Sequence, residues 1–205
     1  MTMTTTPPSS RKLTLADISD VRAYERERPE LRARMIELKR IRRVALGPYV
    51  SVTFENRDTV RYQIQEMARV ERLATDEAIQ DELDAYNPLV PEPGQLCCTL
   101  FLELTTDDQM REWLPKLVGI ERSIVLRLAD GTEVRAEPEA QHASMLTRES
   151  VTAAVHFLQF AVAAPAIEAM ASADVVLASD HPAYDEATEL GRATVGELLA
   201  DLRRA

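Results

Sequence analysis

The stretch FENRDTVRYQIQEMARVERL, Phe54 to Leu73, decides how the chain is read, because it joins a strand end to a strongly polar helix. Placed on a helix at ~100° per residue, Asp58 to Ala74 brings Val60, Ile64, Met67, Ala68, Val70 and Ala74 onto one arc that should face the core. Gln63 and Glu71 fall inside that arc, and Arg61, Arg69 and Arg72 point away. The preceding helix, read over Pro29 to Ala45, has an apolar arc of Leu31, Met35, Leu38, Ile41 and Ala45 that also contains Arg34 and Arg42. Two neighbouring helices thus bring opposite charge to their inner faces, where a lone charge is costly. Two readings stay open. One is a buried ion pair of Arg34 or Arg42 with Glu71, held for packing. The other is a polar pocket in which arginine takes a small anionic ligand and Gln63 and Glu71 orient it.

Outward from this stretch, the chain alternates helices with strands. Residues 1–12, rich in Thr, Pro and Ser, read as a disordered tail, and 13–205 as one α+β domain. Pro29 predicts a kink or break near Arg28. Gly47-Pro48 marks a turn, and Tyr49 to Phe54 alternates as a half-buried strand. Asn56 or Asp58 caps the central helix. A helix follows from Asp76 to Asn87-Pro88, then a strand over Leu96 to Leu104. Asp107 to Leu114 reads as a short helix. Ile124 to Ala129, the Asp130-Gly131 turn and Thr132 to Ala136 form the clearest hairpin. Val151 to Val162 is apolar on both faces and reads as a central strand. A helix near Ala166 to Ala171, a short strand at Val175 to Ala178 and a terminal helix from Val195 complete the order. This pattern predicts an α+β fold, a mainly antiparallel sheet packed against the N-terminal and central helices.

Composition bounds the function. The chain has 205 residues, 45% hydrophobic but only 5% aromatic, so its core should be aliphatic. The net charge of −10 argues against general nucleic-acid binding. The charge is uneven: residues 11–72 hold 15 Lys/Arg against 10 Asp/Glu, and residues 73–205 hold 9 against 24. The basic cluster Lys39, Arg40, Arg42 and Arg43 suits a helix C-terminus and lacks the aromatics of a base-stacking surface. No window reaches the ~18 apolar residues of a membrane helix, and the N-terminus lacks a signal-peptide core, so a cytoplasmic protein is expected. The only cysteines, Cys97 and Cys98, are adjacent and read as small residues of a reducing compartment.

Three histidines are candidates. His156 sits mid-strand on the face of Leu158, Phe160 and Val162. His181 lies in Asp180-His181-Pro182-Ala183-Tyr184, after a short strand, and His142 lies in a polar run. A carboxylate–histidine metal site could draw on Glu66, Glu71, His156 and His181, and the alternative function is a small metal-dependent enzyme or metal-binding protein using Glu71 with His156 or His181. The spacings of common metal, nucleotide and nucleophile motifs are absent.

The runs RRVALGP (42–48), FENRDTVRYQIQEMARVER (54–72), YNPLVP (86–91), TLFLEL (99–104), REWLPKLVGIE (111–121) and DHPAY (180–184) together resemble a bacterial family of about this length, a domain of unknown function. The resemblance implies genes beside rubrerythrin-like proteins and an iron–sulfur oxidoreductase, and hence a setting in oxidative-stress redox metabolism. It carries over no catalytic residue and no cofactor. The function expected is a non-enzymatic accessory or ligand-binding protein, with a rubrerythrin-like or iron–sulfur redox protein as possible partner.

Overall fold

A computed structural model describes residues 11–140 and 150–203. The expected tail falls mostly outside the described residues, as does His142. Arg11 and Lys12 are described and are held: Arg11 donates to the Asp201 carbonyl at 2.8 Å, and Lys12 to those of Asn87 and Val90 at 3.0 and 2.6 Å.

The fold is α+β. Helix α1 (Val21–Arg42) leads through β1 (Arg43–Leu46) and β2 (Val50–Glu55) to α2 (Arg57–Glu71) and α3 (Asp76–Tyr86). Strand β3 (Gln95–Leu102), helix α4 (Asp107–Lys116), and strands β4 (Ile124–Leu128) and β5 (Glu133–Pro138) follow. The chain continues with β6 (Val155–Ala161), α5 (Ala164–Ser172), β7 (Val175–His181), β8 (Tyr184–Glu189) and α6 (Arg192–Arg203). Among the described residues the strands form one eight-stranded sheet, in the order β1-β2-β3-β6-β5-β4-β7-β8. Every pairing is antiparallel.

The sheet curls until its two edges meet. Thr188 Oγ1 on β8 donates to the Ala45 carbonyl on β1 at 2.8 Å. Tyr184 Oη donates to the Leu46 carbonyl at 2.7 Å and accepts from the Tyr49 N–H at 2.9 Å. Edge strands present unpaired backbone groups, and these contacts satisfy some of them without a ladder. The DHPAY run is the β7–β8 turn: Asp180 and His181 end β7, which runs past Ala178, and Tyr184 begins β8. Its Asp180 is held by Arg135 through two hydrogen bonds of 2.9 and 2.5 Å. Gly47, at φ +66, makes the close approach possible: a Cβ there would lie 2.7 Å from both Glu186 Cγ and Tyr184 Oη.

Alternation along the strands gives the sheet two different faces. The concave face carries Val50, Val52 and Phe54 with Cys98, Leu100, Leu158 and Phe160, and holds the main core. Met170 of α5 and Leu198 and Leu202 of α6 join that core, as do Leu117 and Ile120 after α4. The other face carries Ser51, Thr53, Glu55, Thr99 and Phe157. Against it α2 and α3 set a smaller core of Val60, Ile64, Leu83 and Leu89, which Phe157 joins. The helical layer thus covers a partly polar sheet face.

Two boundaries differ from the sequence reading. Helix α1 runs unbroken through Pro29. The carbonyl that loses its donor there belongs to Glu25, on an exposed residue. Arg28, next to the proline, is held by Glu66 at 2.7 and 3.0 Å, which fixes the helical path. The second difference is the end of α1: Arg43 to Leu46 is strand β1 rather than a last helical turn.

Candidate functional site

The contact between α1 and α2 is where opposite charges were expected, and they meet there with different members. Glu66 is the inner carboxylate of α2. It accepts from Tyr24 Oη at 2.5 Å and from two nitrogens of Arg28, with Arg69 at 3.5 Å. The Arg28 hydrogen bonds hold its carboxyl down to about 2, while burial together with Glu66 pushes the Tyr24 hydroxyl up. Glu66 is thus a lock between two helices. The buried amide of α2 is Gln65, which exchanges two hydrogen bonds with the Ser19 backbone at 2.9 and 2.8 Å.

Glu71 does not share the inner face. It lies exposed in the last turn of α2, beside Val70, which is 65% exposed. The helix stops at Arg72, whose φ of +56 closes it in a left-handed cap, so the wheel drawn to Ala74 ran past its end. The apolar residues that α2 buries are the narrow row Val60, Ile64 and Ala68, beside the polar Thr59 and Gln65.

Arg34 is exposed. Arg42 is fully buried, as the wheel implied, but its partners lie elsewhere. It donates to the Phe54 carbonyl at 2.9 Å and the Glu55 carbonyl at 3.3 Å, pairs with Glu197 at 3.0 Å and hydrogen-bonds Asp201. Arg42 therefore ties α1 to β2 and α6. Its acidic partners lie 155 and 159 residues away, beyond the reach of any local pattern.

The histidines also have structural bonds. His156 Nε2 lies 2.8 Å from Thr152 Oγ1 and 3.0 Å from the Ala153 carbonyl, and burial lowers its pKa. It shares the concave face with Leu158 and Phe160, on the opposite side of β6 from α2. His181 Nε2 lies 3.1 Å from the Val118 carbonyl, and Nδ1 accepts from the Ala183 N–H at 3.2 Å. Neither bonds to Glu66 or Glu71. Among the described residues no group of three or more His, Cys, Asp or Glu side chains could hold a metal ion.

Both cysteines are buried and free, on opposite faces of β3. Burial pushes the Cys97 thiol up to about 12 and that of Cys98 well above its ordinary value. Neither is a ready nucleophile.

Two cavities that share Lys39 lie between the helical layer and the polar sheet face. The outer one is a cleft of about 680 Å³. Arg32, Ile36, Lys39 and Arg40 of α1 and Tyr62 of α2 form one wall; Arg43, Gly47, Ser51 and Glu103 contribute to the other. Arg43 is paired with Glu103, which also accepts from Ser51, and Arg40 with Glu37 at 3.1 Å. Arg32 and Lys39 have no carboxylate partner among the described residues. The inner cavity, of about 220 Å³, has apolar walls from Val60, Leu89, Phe101 and Phe157. Its polar groups are Lys39, Glu55, Gln63, Tyr86 and Thr99. The Gln63 amide bonds Tyr86, and Thr99 Oγ1 donates to Glu55 at 2.8 Å.

Of the seven residues selected from the sequence, Gln63 alone lines a cavity described here; Arg34, Arg42, Glu66, Glu71, His156 and His181 do not. The cleft is instead made by Arg32 and by Lys39, Arg40 and Arg43, three members of the basic cluster that the sequence reading assigned to a helix end. Helical spacing was a partial signal: Arg32, Ile36 and Lys39 recur at four and three residues and share one side of α1.

No curated protein matches the chain. A crystal structure at 1.90 Å of a novel protein of unknown function from Burkholderia pseudomallei K96243 is similar to it throughout. The two share 35% identity and a TM-score of 0.86, over 93% of this chain and 99% of that one. The profile of the family "Protein of unknown function (DUF3501)" matches residues 12–202. With that span of the chain matched, the protein belongs to the DUF3501 family.

Proposed function

We propose that this is a non-enzymatic binding protein that takes a small anionic molecule in the cleft between α1, α2 and the polar face of the sheet. One observation carries the reading: Arg32 and Lys39 face a concave space of about 680 Å³ with no carboxylate of their own. Cations in a cleft with low-dielectric walls raise the local concentration of anions, and an unpaired pair of them is poised for a bidentate contact. Arg43, paired with Glu103, adds a guanidinium 5.3 Å from the Phe101 ring centroid. This reading uses other cations than the Arg34 and Arg42 of the sequence expectation, and Gln63 lines the adjoining inner cavity. A cytoplasmic accessory role beside a rubrerythrin-like or iron–sulfur redox partner, in oxidative-stress metabolism, is the setting we propose from the family resemblance.

A thermal-shift panel of phosphate, pyrophosphate, citrate and simple carboxylates tests the reading. An anion at ~100 times its dissociation constant should add about 2.7 kcal/mol, a shift of several degrees for a chain this long. The shift should vanish in Lys39→Met and Arg32→Met, which disturb no ion pair. A panel without any shift, or one unchanged in both variants, would remove the anion site.

A further inference from the structure

The inner cavity holds a combination that a simple anion site does not need. Glu55 closes β2, on the same sheet face as Ser51 and Thr53, and its carboxylate reaches the cavity from the floor. It accepts one hydrogen bond, from Thr99 Oγ1 at 2.8 Å, and forms no ion pair among the described residues. Lys39 reaches the same cavity from α1, its ammonium 6.0 Å from the Tyr62 ring centroid. Two opposite charges thus line one space of about 220 Å³ without pairing with each other. Between them the walls are apolar, with Phe101 and Phe157 on the sheet side. A carboxylate among apolar walls calls for N–H donors, and a lysine at the other end calls for an anion.

Resting on the anion-binding reading above, we infer that the ligand is amphoteric: an N–H-bearing end enters the inner cavity and meets Glu55, while its anionic end stays at Lys39 and the outer cleft. The cavity sets the size of the inner part. A space of ~150 Å³ accepts a benzene ring, so this one, of about 220 Å³, takes a flat ring system of one or two fused rings. Two kinds of molecule share this chemistry, a nucleotide whose base bears amino and imino groups, and a zwitterionic amino acid.

Matched probes that differ only at the N–H end test the inference by calorimetry on the full chain. GMP and IMP differ in one exocyclic amino group; phenylalanine and 3-phenylpropionate differ in the ammonium. In one pair the N–H-bearing member should bind at least about tenfold more tightly, because a site built to receive a donor rejects the analogue that lacks it. The responding pair names the source. Glu55→Gln, which keeps an acceptor for Thr99, should bring the ratio close to one. Lys39→Met should weaken both members alike and leave the ratio intact. Equal binding within both pairs overturns the inference, and so does a ratio that survives Glu55→Gln. If pyrophosphate binds and no organic probe does, the inference fails and the anion cleft stands. If pyrophosphate fails as well, the binding function itself falls.

Discussion

Replacing Arg42 by methionine is the most informative perturbation of the fold. The guanidinium is fully buried and serves four oxygens: two backbone carbonyls on β2 and two carboxylates on α6. Glu197 is 39% exposed at its side chain and can turn to water, so little of the cost lies there. Asp201 is 5% exposed, and removing the Arg42 guanidinium takes a charged hydrogen-bond donor from a buried carboxylate. Breaking a buried pair from one side costs roughly 3–5 kcal/mol, which for a chain of this length lowers the melting temperature by roughly 6–20 °C. In Arg42→Met/Asp201→Leu the buried carboxylate is gone as well. What remains is two carbonyls without a donor, about 1–3 kcal/mol. The double variant should therefore be more stable than Arg42→Met alone, with a coupling of about 2 kcal/mol or more. Urea unfolding followed by circular dichroism, with an unchanged slope, gives the numbers. Glu71→Gln is the control and should stay within about 0.5 kcal/mol of the parent, as exposed substitutions do. A double variant that loses the sum of its two singles would refute the argument, and so would a large effect of Glu71→Gln.

Further outcomes follow from the same structure. Tyr184→Phe removes a hydroxyl that donates to the Leu46 carbonyl and accepts from the Tyr49 N–H, and should cost about 1–3 kcal/mol in urea unfolding. Gly47→Ala combines a positive φ with a Cβ 2.7 Å from Tyr184 Oη, so it should destabilise by about 1–3 kcal/mol. Glu66 has a folded pKa of about 2 against an ordinary 4.5, so its stabilisation is full above pH 4.5 and is lost as pH falls towards 2. That contribution, up to about 3 kcal/mol, should disappear from the acid-denaturation profile of Glu66→Gln. Cys97 and Cys98 should resist a thiol reagent at pH 8 in the native protein and react as urea opens the fold, measured by absorbance.

The parts of the fold legible in the sequence were those written in local pattern. The Asp130-Gly131 hairpin, the strands through Val52 and Leu100, and the Asn56 cap are all as read, because turn chemistry and alternation act over a few residues. Strand β8 escaped because Glu186 and Thr188, in phase with buried Tyr184, are polar and hide the alternation, and because its place depends on Tyr184 reaching Leu46. The charged inner face was half legible. Burial of Arg42 showed in its phase on α1, but the choice of Asp201 over Glu71 is made by α6 docking from the far end of the chain. Glu66, rather than Glu71, meets the arginine of α1 because the row Val60–Ile64–Ala68 sets how α2 is turned, and a wheel with too broad an arc blurs that phase. The cleft was legible only as a cluster of cations. Which of them are neutralised is a tertiary fact: Arg43 meets Glu103, just after β3, while Lys39 meets no carboxylate among the described residues.

Calorimetric titration of pyrophosphate into the parent and into Arg32→Met/Lys39→Met tests the central claim most directly. Each charge-assisted contact contributes about 1.5–3 kcal/mol. Removing both should therefore weaken binding by at least about a hundredfold, and raising the salt should weaken the parent but hardly affect the variant. Equal affinity in the two proteins, or no heat in the parent at low salt, would contradict the assignment of this cleft as an anion site.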